Sequence, residues 1–133
     1  MPPDELQAVI TAQWIAKADE DLELAAHLLK SNTPYYSAIA FHAQQAAEKY
    51  LKAILSHYLI AFPKTHDLAA LLDMLIATNS RAAGELDDLT TLTPFAVESR
   101  YPGDFPVVTQ VDAASAVELV QRAASVAHAI VRV

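Results

Sequence analysis

The chain has 133 residues, of which 53% are hydrophobic and only two are glycine, and this alanine- and leucine-rich composition predicts a single all-α domain over residues 1–133. A formal net charge of −7 argues against a surface built for nucleic-acid phosphates, so we expect no DNA binding, and the absence of cysteine excludes disulfides, thiolate nucleophiles and cysteine-ligated zinc. The N-terminus lacks a secretory signal pattern, and charged residues or histidine interrupt every apolar run well before about 18 residues, so we expect a cytoplasmic protein without a membrane span.

The first predicted element is a long helix from about Asp4 to Lys30, because no Gly or Pro interrupts this stretch. Its apolar residues recur at helical steps: Leu6, Ile10, Trp14, Ala18, Leu22, Ala25 and Leu29. On the polar side, Lys17 and Asp21 stand four residues apart, which predicts a surface ion pair. The alternative is that Asp21 points at a functional site.

A short turn from Ser31 to Pro34 predicts a second helix, antiparallel to the first, that reaches about Ile60. Thr33 suits its N-cap, and Pro34 suits the first helical position, where a missing N–H costs nothing. Two long helices joined in this way form a helical hairpin.

The second helix divides into an apolar and a polar face. Residues at three- and four-residue steps fill the apolar face: Ile39, Ala43, Ala46, Ala47, Tyr50, Ile54 and Tyr58. The polar face stacks an imidazole, an amide and two ammonium groups: His42, Gln45, Lys49 and Lys52. We interpret this polar line as the first candidate for function, and the alternative is a solvated helix face.

A third, shorter helix is predicted from about residue 68 to residue 77, where leucines form an apolar edge. Thr65 is its predicted N-cap, and Asp67 suits the positive end of the helix dipole. His66 beside Asp67 is a candidate site imidazole, and the alternative is a structural or solvated histidine.

A fourth helix is predicted from about residue 82 to residue 92, and Thr93-Pro94 then kinks it or restarts it as a short turn. Residues 98–106 hold two prolines and a glycine and are therefore predicted to be a loop. In this loop, Arg100 can grip a phosphate or carboxylate, and Tyr101 adds a ring and a hydroxyl. The alternative is that Arg100 pairs with a helix carboxylate and Tyr101 plugs the bundle end.

The last predicted helix begins at Thr109 and runs to about Val131. Thr109 and Asp112 have the spacing of a capping box in which Asp replaces Glu. Its core face holds Val117, Val120, Ala124, Ala127, Ile130 and Val131.

Four segments match one known family in its order: Ala18–Leu22 on the first helix, Gln44–Ala53 on the second, Thr65–Leu68 opening the third and Ser99–Pro102 before the last. In these segments the chain resembles the HEPN domain family of helical nucleotide-binding or RNA-processing modules, and its small stand-alone prokaryotic branch most closely. The resemblance implies an up-and-down bundle of four to five helices that often dimerises and is related to the substrate-binding helical domains of nucleotidyltransferases. It also implies a minimal nucleotidyltransferase partner and, for some such pairs, a toxin-antitoxin role.

Ribonuclease members of this family carry an Arg and a His separated by four to six residues near the last helix, combined with a second copy across a dimer interface. Arg122 and His128 match that spacing here. At ~100° per residue, however, six steps place the two side chains about 120° apart around a regular helix, so they would not converge without a kink.

The histidines do not fall at ligating steps with a carboxylate on one helix face, and glycine loops that cradle phosphates are absent, so we predict no metal and no cofactor. We predict a homodimeric binding module that works with a minimal nucleotidyltransferase and binds nucleotide or RNA phosphate. Its predicted ligand-binding residues are Arg100, Tyr101, His66, Lys49 and Lys52.

Two alternatives remain open at the level of the sequence. The first is a metal-independent ribonuclease toxin that acts as a dimer through Arg122 and His128, so whether the protein is an enzyme is undecided. A related hypothesis is that the partner transfers a nucleotide to Tyr101 and thereby silences a toxic activity. The second alternative is a structural, oligomerising bundle whose polar line is only a solvated face.

Overall fold

The computed structural model describes residues 3–96 and 107–132. In this part of the chain all regular structure is helical: α1 (Pro3–Lys30), α2 (Tyr36–His57), α3 (Leu68–Ile76), α4 (Ser80–Glu85), a 3-10 helix (Asp87–Phe95) and α5 (Gln110–Val131). The predicted all-α bundle is confirmed. The number of segments exceeds the predicted four to five because the predicted fourth helix divides into α4 and the 3-10 helix, which contains Pro94.

The turn between α1 and α2 differs from its prediction. Thr33 does not cap α2, because its hydroxyl donates to the carbonyl of Leu28 at 2.9 Å and so closes the end of α1. Asn32 adopts a left-handed conformation with φ of 57°, which suits the residue after a helix C-terminus. Helix α2 then begins at Tyr36, after an N-cap residue whose side chain makes no capping hydrogen bond.

Helix α3 starts at Leu68 as predicted, but its N-cap differs by two residues from the prediction. Asp67, and not Thr65, is the N-cap, since its carboxylate accepts from the backbone N–H of Ala70 at 3.3 Å. The Thr65 hydroxyl instead accepts from the N–H of Asp67 at 3.1 Å, which supports the capping residue from outside the helix. At the start of α5 the predicted capping box is confirmed, with both Thr109–Asp112 hydrogen bonds present.

Helix α2 lies at the centre of the bundle and packs against α1, α5, α3 and the 3-10 helix. Alanines on α2 allow these neighbours to approach closely, and larger side chains fill the space between them. The largest fully buried apolar side chains are Tyr50, Ile39, Leu51, Ile54, Leu55, Leu68, Leu71, Leu75, Leu89, Leu92 and Val120. None of the helices in residues 3–96 and 107–132 combines the length and apolar character needed to cross a bilayer.

Candidate functional site

The polar line on α2 is not a solvated face along its whole length. The side chain of Lys52 is only 8% exposed, and that of Glu48, one helical turn before it, is only 4% exposed. His42 and Lys49 are partly buried, at 24% and 23%. The hypothesis of a solvated face is therefore wrong for the C-terminal half of the line, because neighbouring elements cover it.

Asp21 of α1 binds the N-terminal half of this line. One carboxylate oxygen of Asp21 contacts Nδ1 of His42 at 3.0 Å, and the other accepts a hydrogen bond from Lys49. The predicted surface pair between Lys17 and Asp21 is wrong, because the Asp21 carboxylate turns toward α2, where its side chain is 14% exposed. Asp21 thus ties α1 to two turns of α2.

Glu48 binds the C-terminal half of the line. One of its oxygens accepts from Lys52 at 3.1 Å, one helical turn away, and the other lies 2.8 Å from Nδ1 of His66. The ammonium of Lys52 also lies 5.4 Å from the ring centroid of Trp14, and Phe62 packs against that ring edge-on. Burial of Glu48 and Lys52 therefore depends on α1 and on the connection that precedes α3.

A third cluster joins α1, α2 and α5. The hydroxyl of Tyr50 donates to Asp19, and Nε2 of His128 lies 2.8 Å from the same carboxylate oxygen. The rings of Tyr50 and His128 also meet edge-on. Burial, followed by the hydrogen bond to Asp19 and the charges of Asp19 and Glu23, raises the pKa of Tyr50 far above its ordinary value.

The other predicted site residues divide into two groups. Arg122 is exposed and lines a small surface depression with Glu85 and Asp88, whereas His128 contacts Asp19 on another side of α5. The structure therefore does not bring Arg122 and His128 of one chain together. Arg100 and Tyr101 lie outside the described residues.

Two features of this face were missed by the sequence analysis. Asp19 contacts both Tyr50 and His128, and no such role was predicted for it. Gln44 is fully buried, accepts from Gln45 at 2.8 Å, and its Nε2 has no hydrogen-bond partner in the described part of the chain. A signal for Asp19 was available, because Asp19 and Asp21 both stand between the apolar residues Ala18 and Leu22.

The face can present hydrogen-bond donors in fixed directions. Lys49 gives one of its three N–H groups to Asp21, and two remain on a head group that is partly open to solvent. His66 uses Nδ1 on Glu48, which leaves Nε2 on a ring that is 78% exposed. Among residues 3–96 and 107–132, no group of three or more His, Asp or Glu side chains is placed to hold a metal ion.

Removal of the Glu48 carboxylate should strongly destabilise the fold. We expect Glu48→Leu to cost about 3–5 kcal/mol in urea unfolding, because the buried ammonium of Lys52 loses its counter-charge. The double variant Glu48→Leu/Lys52→Met should recover most of this loss.

The exposed pair Arg81–Glu85 has the same four-residue spacing and serves as the control, with side-chain exposures of 91% and 48%. Glu85→Ala should cost less than about 1 kcal/mol. Equal losses for Glu48→Leu and Glu85→Ala would contradict the burial argument.

The raised pKa of Tyr50 predicts a loss of stability at alkaline pH. Below pH about 10 both folded and unfolded chains keep the phenol protonated, and above it the unfolded chain releases a proton that the folded chain retains. Stability should therefore fall as pH rises above about 10, and Tyr50→Phe should reduce that slope in urea unfolding from pH 8 to 11. Tyr35→Phe, at an exposed tyrosine, should leave the slope unchanged. Equal slopes for the wild type and both variants would show that Tyr50 does not cause the alkaline loss of stability.

Comparison with known proteins identifies the family of this chain. A scan of protein families matches the HEPN domain over residues 11–130. Two solved structures share the fold. TT1696 from Thermus thermophilus is 23% identical with a TM-score of 0.67, and the match covers 90% of this chain and 97% of that chain. ST0689, an archaeal HEPN homologue, is 24% identical with a TM-score of 0.68, and the match covers 91% of this chain and 97% of that chain. A search of curated proteins finds no match. Since the family match spans most of the chain, this protein belongs to the HEPN domain family.

Proposed function

We propose that this HEPN domain is a binding module that recognises the phosphate of a nucleotide or an RNA on the polar face of α2. The observation that carries the proposal is the pairing of His66 with Glu48. A buried carboxylate fixes Nδ1 of an imidazole whose ring is 78% exposed, so Nε2 is held toward solvent before any ligand arrives. Because Nδ1 donates to the carboxylate, Nε2 donates to an anion in the protonated form of the ring. A donor fixed in this way loses little conformational freedom on binding.

Lys49 supplies the second group of donors. Its ammonium is held by Asp21 while its remaining N–H groups stay partly open to solvent. Lys52 is buried against Glu48 and Trp14, so we assign it a supporting role, in which it balances the charge of Glu48 and keeps that carboxylate able to orient His66. Arg100 and Tyr101 complete the proposed site as a phosphate anchor and a stacking group.

Local charge is compatible with this assignment in spite of the net charge of −7. Asp21 with Lys49 and Glu48 with Lys52 each sum to zero, so His42 and His66 decide the sign of the face. Protonation of either histidine makes the face cationic, whereas the rest of the chain remains acidic. The proposed ligand would therefore meet a local surface that does not repel its phosphate.

Titration with ATP and with a short single-stranded RNA tests the proposal. We expect His66→Ala, Lys49→Ala and Arg100→Ala each to weaken binding about ten- to a hundredfold, because each variant loses one charge-assisted hydrogen bond. The controls are His57→Ala and Lys30→Ala, an exposed histidine and an exposed lysine that make no ion pair in the described structure. They should bind like the wild type.

Two outcomes would contradict this site. Unchanged binding in both Arg100→Ala and Lys49→Ala would show that the phosphate does not bind at the proposed site. Cleavage of the RNA in chelator that His128→Ala abolishes would replace the binding module with a ribonuclease.

We propose further that the module forms a homodimer and works with a minimal nucleotidyltransferase, as one half of a toxin-antitoxin pair. Membership of the HEPN family supports this proposal. Co-purification with a nucleotidyltransferase encoded beside it, together with a dimer mass in light scattering, is the expected result. A monomer at micromolar concentration that captures no nucleotidyltransferase would contradict the proposal.

A mass increase on Tyr101 after incubation with partner and ATP would make the module a substrate of that partner.

A further inference from the structure

A separate cavity of about 400 Å³ lies at the end of the hairpin, away from the polar face of α2. It is formed where the N-terminal half of α1 meets the C-terminal ends of α2 and α5. Its apolar lining comes from Ala8, Ala12, Leu59 and Val131, and its polar lining from Asp4, Gln7, Thr11 and His57. A cavity of this volume and mixed lining is typical of a small-molecule site.

The polar groups on one wall are held by a buried network. The Thr11 hydroxyl donates to Oγ of Ser56 at 3.0 Å, and Nε2 of Gln7 donates to the carbonyl of Ser56 at 3.0 Å. Thr11 and Ser56 are each only 3% exposed. This wall is therefore rigid, because its hydrogen bonds link the start of α1 to the end of α2.

Leu59 on the cavity wall has a conformation that a leucine rarely adopts. Its φ is 61°, in the left-handed region, and its side chain is 69% exposed. The N–H of Ile60 bonds to the carbonyl of Leu55 and that of Leu59 to the carbonyl of Ser56, so Leu59 occupies the position after a helix C-terminus where glycine is preferred. An exposed, strained leucine at such a position contributes nothing to the core, and strain of this kind concentrates at binding sites.

The charge at this cavity is negative. Asp4 is the one carboxylate on its lining, and no Lys or Arg from the described ranges 3–96 and 107–132 joins it. Helices α2 and α5 both end here, at His57 and near Val131, and a helix C-terminus carries a partial negative charge. Helix α1 begins here, with Asp4 in its first turn, and the partial positive charge of its N-terminus offsets one of these two C-termini. Arg132 follows α5 but is exposed and does not line the cavity.

We propose that this cavity binds a small alkylammonium ion, with its ammonium at Asp4 and its alkyl chain against Leu59, Ala8 and Ala12. Charge selects the ammonium head, because the Asp4 carboxylate and two helix C-termini together outweigh the partial positive charge of the α1 N-terminus. The apolar wall selects an alkyl body over a bare inorganic cation. This site lies at a different place from the phosphate site and does not depend on it.

The test is a titration of the full chain with butylammonium chloride at constant ionic strength, followed by amide chemical shifts. We expect shifts confined to the cavity-lining segments of α1 and to the ends of α2 and α5, and binding at least tenfold tighter than that of 1-butanol, which has nearly the same shape without the charge. Asp4→Asn should weaken butylammonium binding about fivefold. The matched control is Glu5→Gln, the neighbouring acid in the first turn of α1, which does not line the cavity and should bind like the wild type.

Leu59→Gly separates binding from folding. Glycine relieves the left-handed strain, so the melting temperature should rise by about 3 °C, while butylammonium binding should weaken because an apolar wall is lost. Equal binding of butylammonium and 1-butanol, an equal effect of Asp4→Asn and Glu5→Gln, or full binding in Leu59→Gly would each overturn the proposal.

Discussion

The burial of charged groups on α2 is the constraint on which the rest of this structure depends. Removal of an ion from water costs several kcal/mol, so Lys49, Glu48 and Lys52 can sit at partly or fully covered positions only where an opposite charge meets them. Asp21 of α1 and His66 before α3 supply partners from other elements. The Asp21 contacts set the alignment of the antiparallel hairpin, because a shift of α1 by one turn would separate the Asp21 carboxylate from His42 and Lys49.

The same contacts determine which parts of the polar face remain open. Trp14, Phe62 and His66 cover the C-terminal half and leave the His66 ring itself in solvent. In the N-terminal half, Asp21 is the charged partner of His42 and Lys49, and both side chains stay partly accessible. A protein with this arrangement can offer donors to a ligand without loosening its core, because the buried carboxylates that aim those donors are also structural contacts.

The long helices could be predicted from the sequence, because their apolar periodicity extends over many turns. The predicted limits of α1 and α5 agree with the structure to within one residue. The short-range signals were less dependable. Thr33 and Thr65 were both predicted to be N-caps, but a threonine hydroxyl beside several backbone groups has competing partners, and each one bonds elsewhere. The break between α4 and the 3-10 helix also has no strong signal, since no Gly or Pro stands at Leu86.

The side chains that share the polar face of α2 could be predicted, but their partners on other elements could not. Spacing along α2 identified Lys49 and Lys52 as neighbours on one face. Their carboxylates could not be chosen in the same way, because the partner of Lys49 lies 28 positions away and depends on how two helices align. The solvated-face hypothesis was wrong for Lys52 for the same reason, since its cover comes from α1. Sequence spacing determines which groups share a helix face, and tertiary packing determines what covers them.

Two regions of α2 with different chemistry can coexist because they rely on different sources of charge. Glu48 and Ser56 are about two turns apart, roughly 12 Å along the helix axis. At Glu48 the charge comes from side chains that cancel in pairs, so donors dominate what solvent meets. At Ser56 the helix is about to end, and its terminal carbonyls add to the negative charge of Asp4. The direction of the helix therefore places its negative end beside the cavity. In the middle of the helix the backbone carries no net end charge, so the side chains determine the local charge.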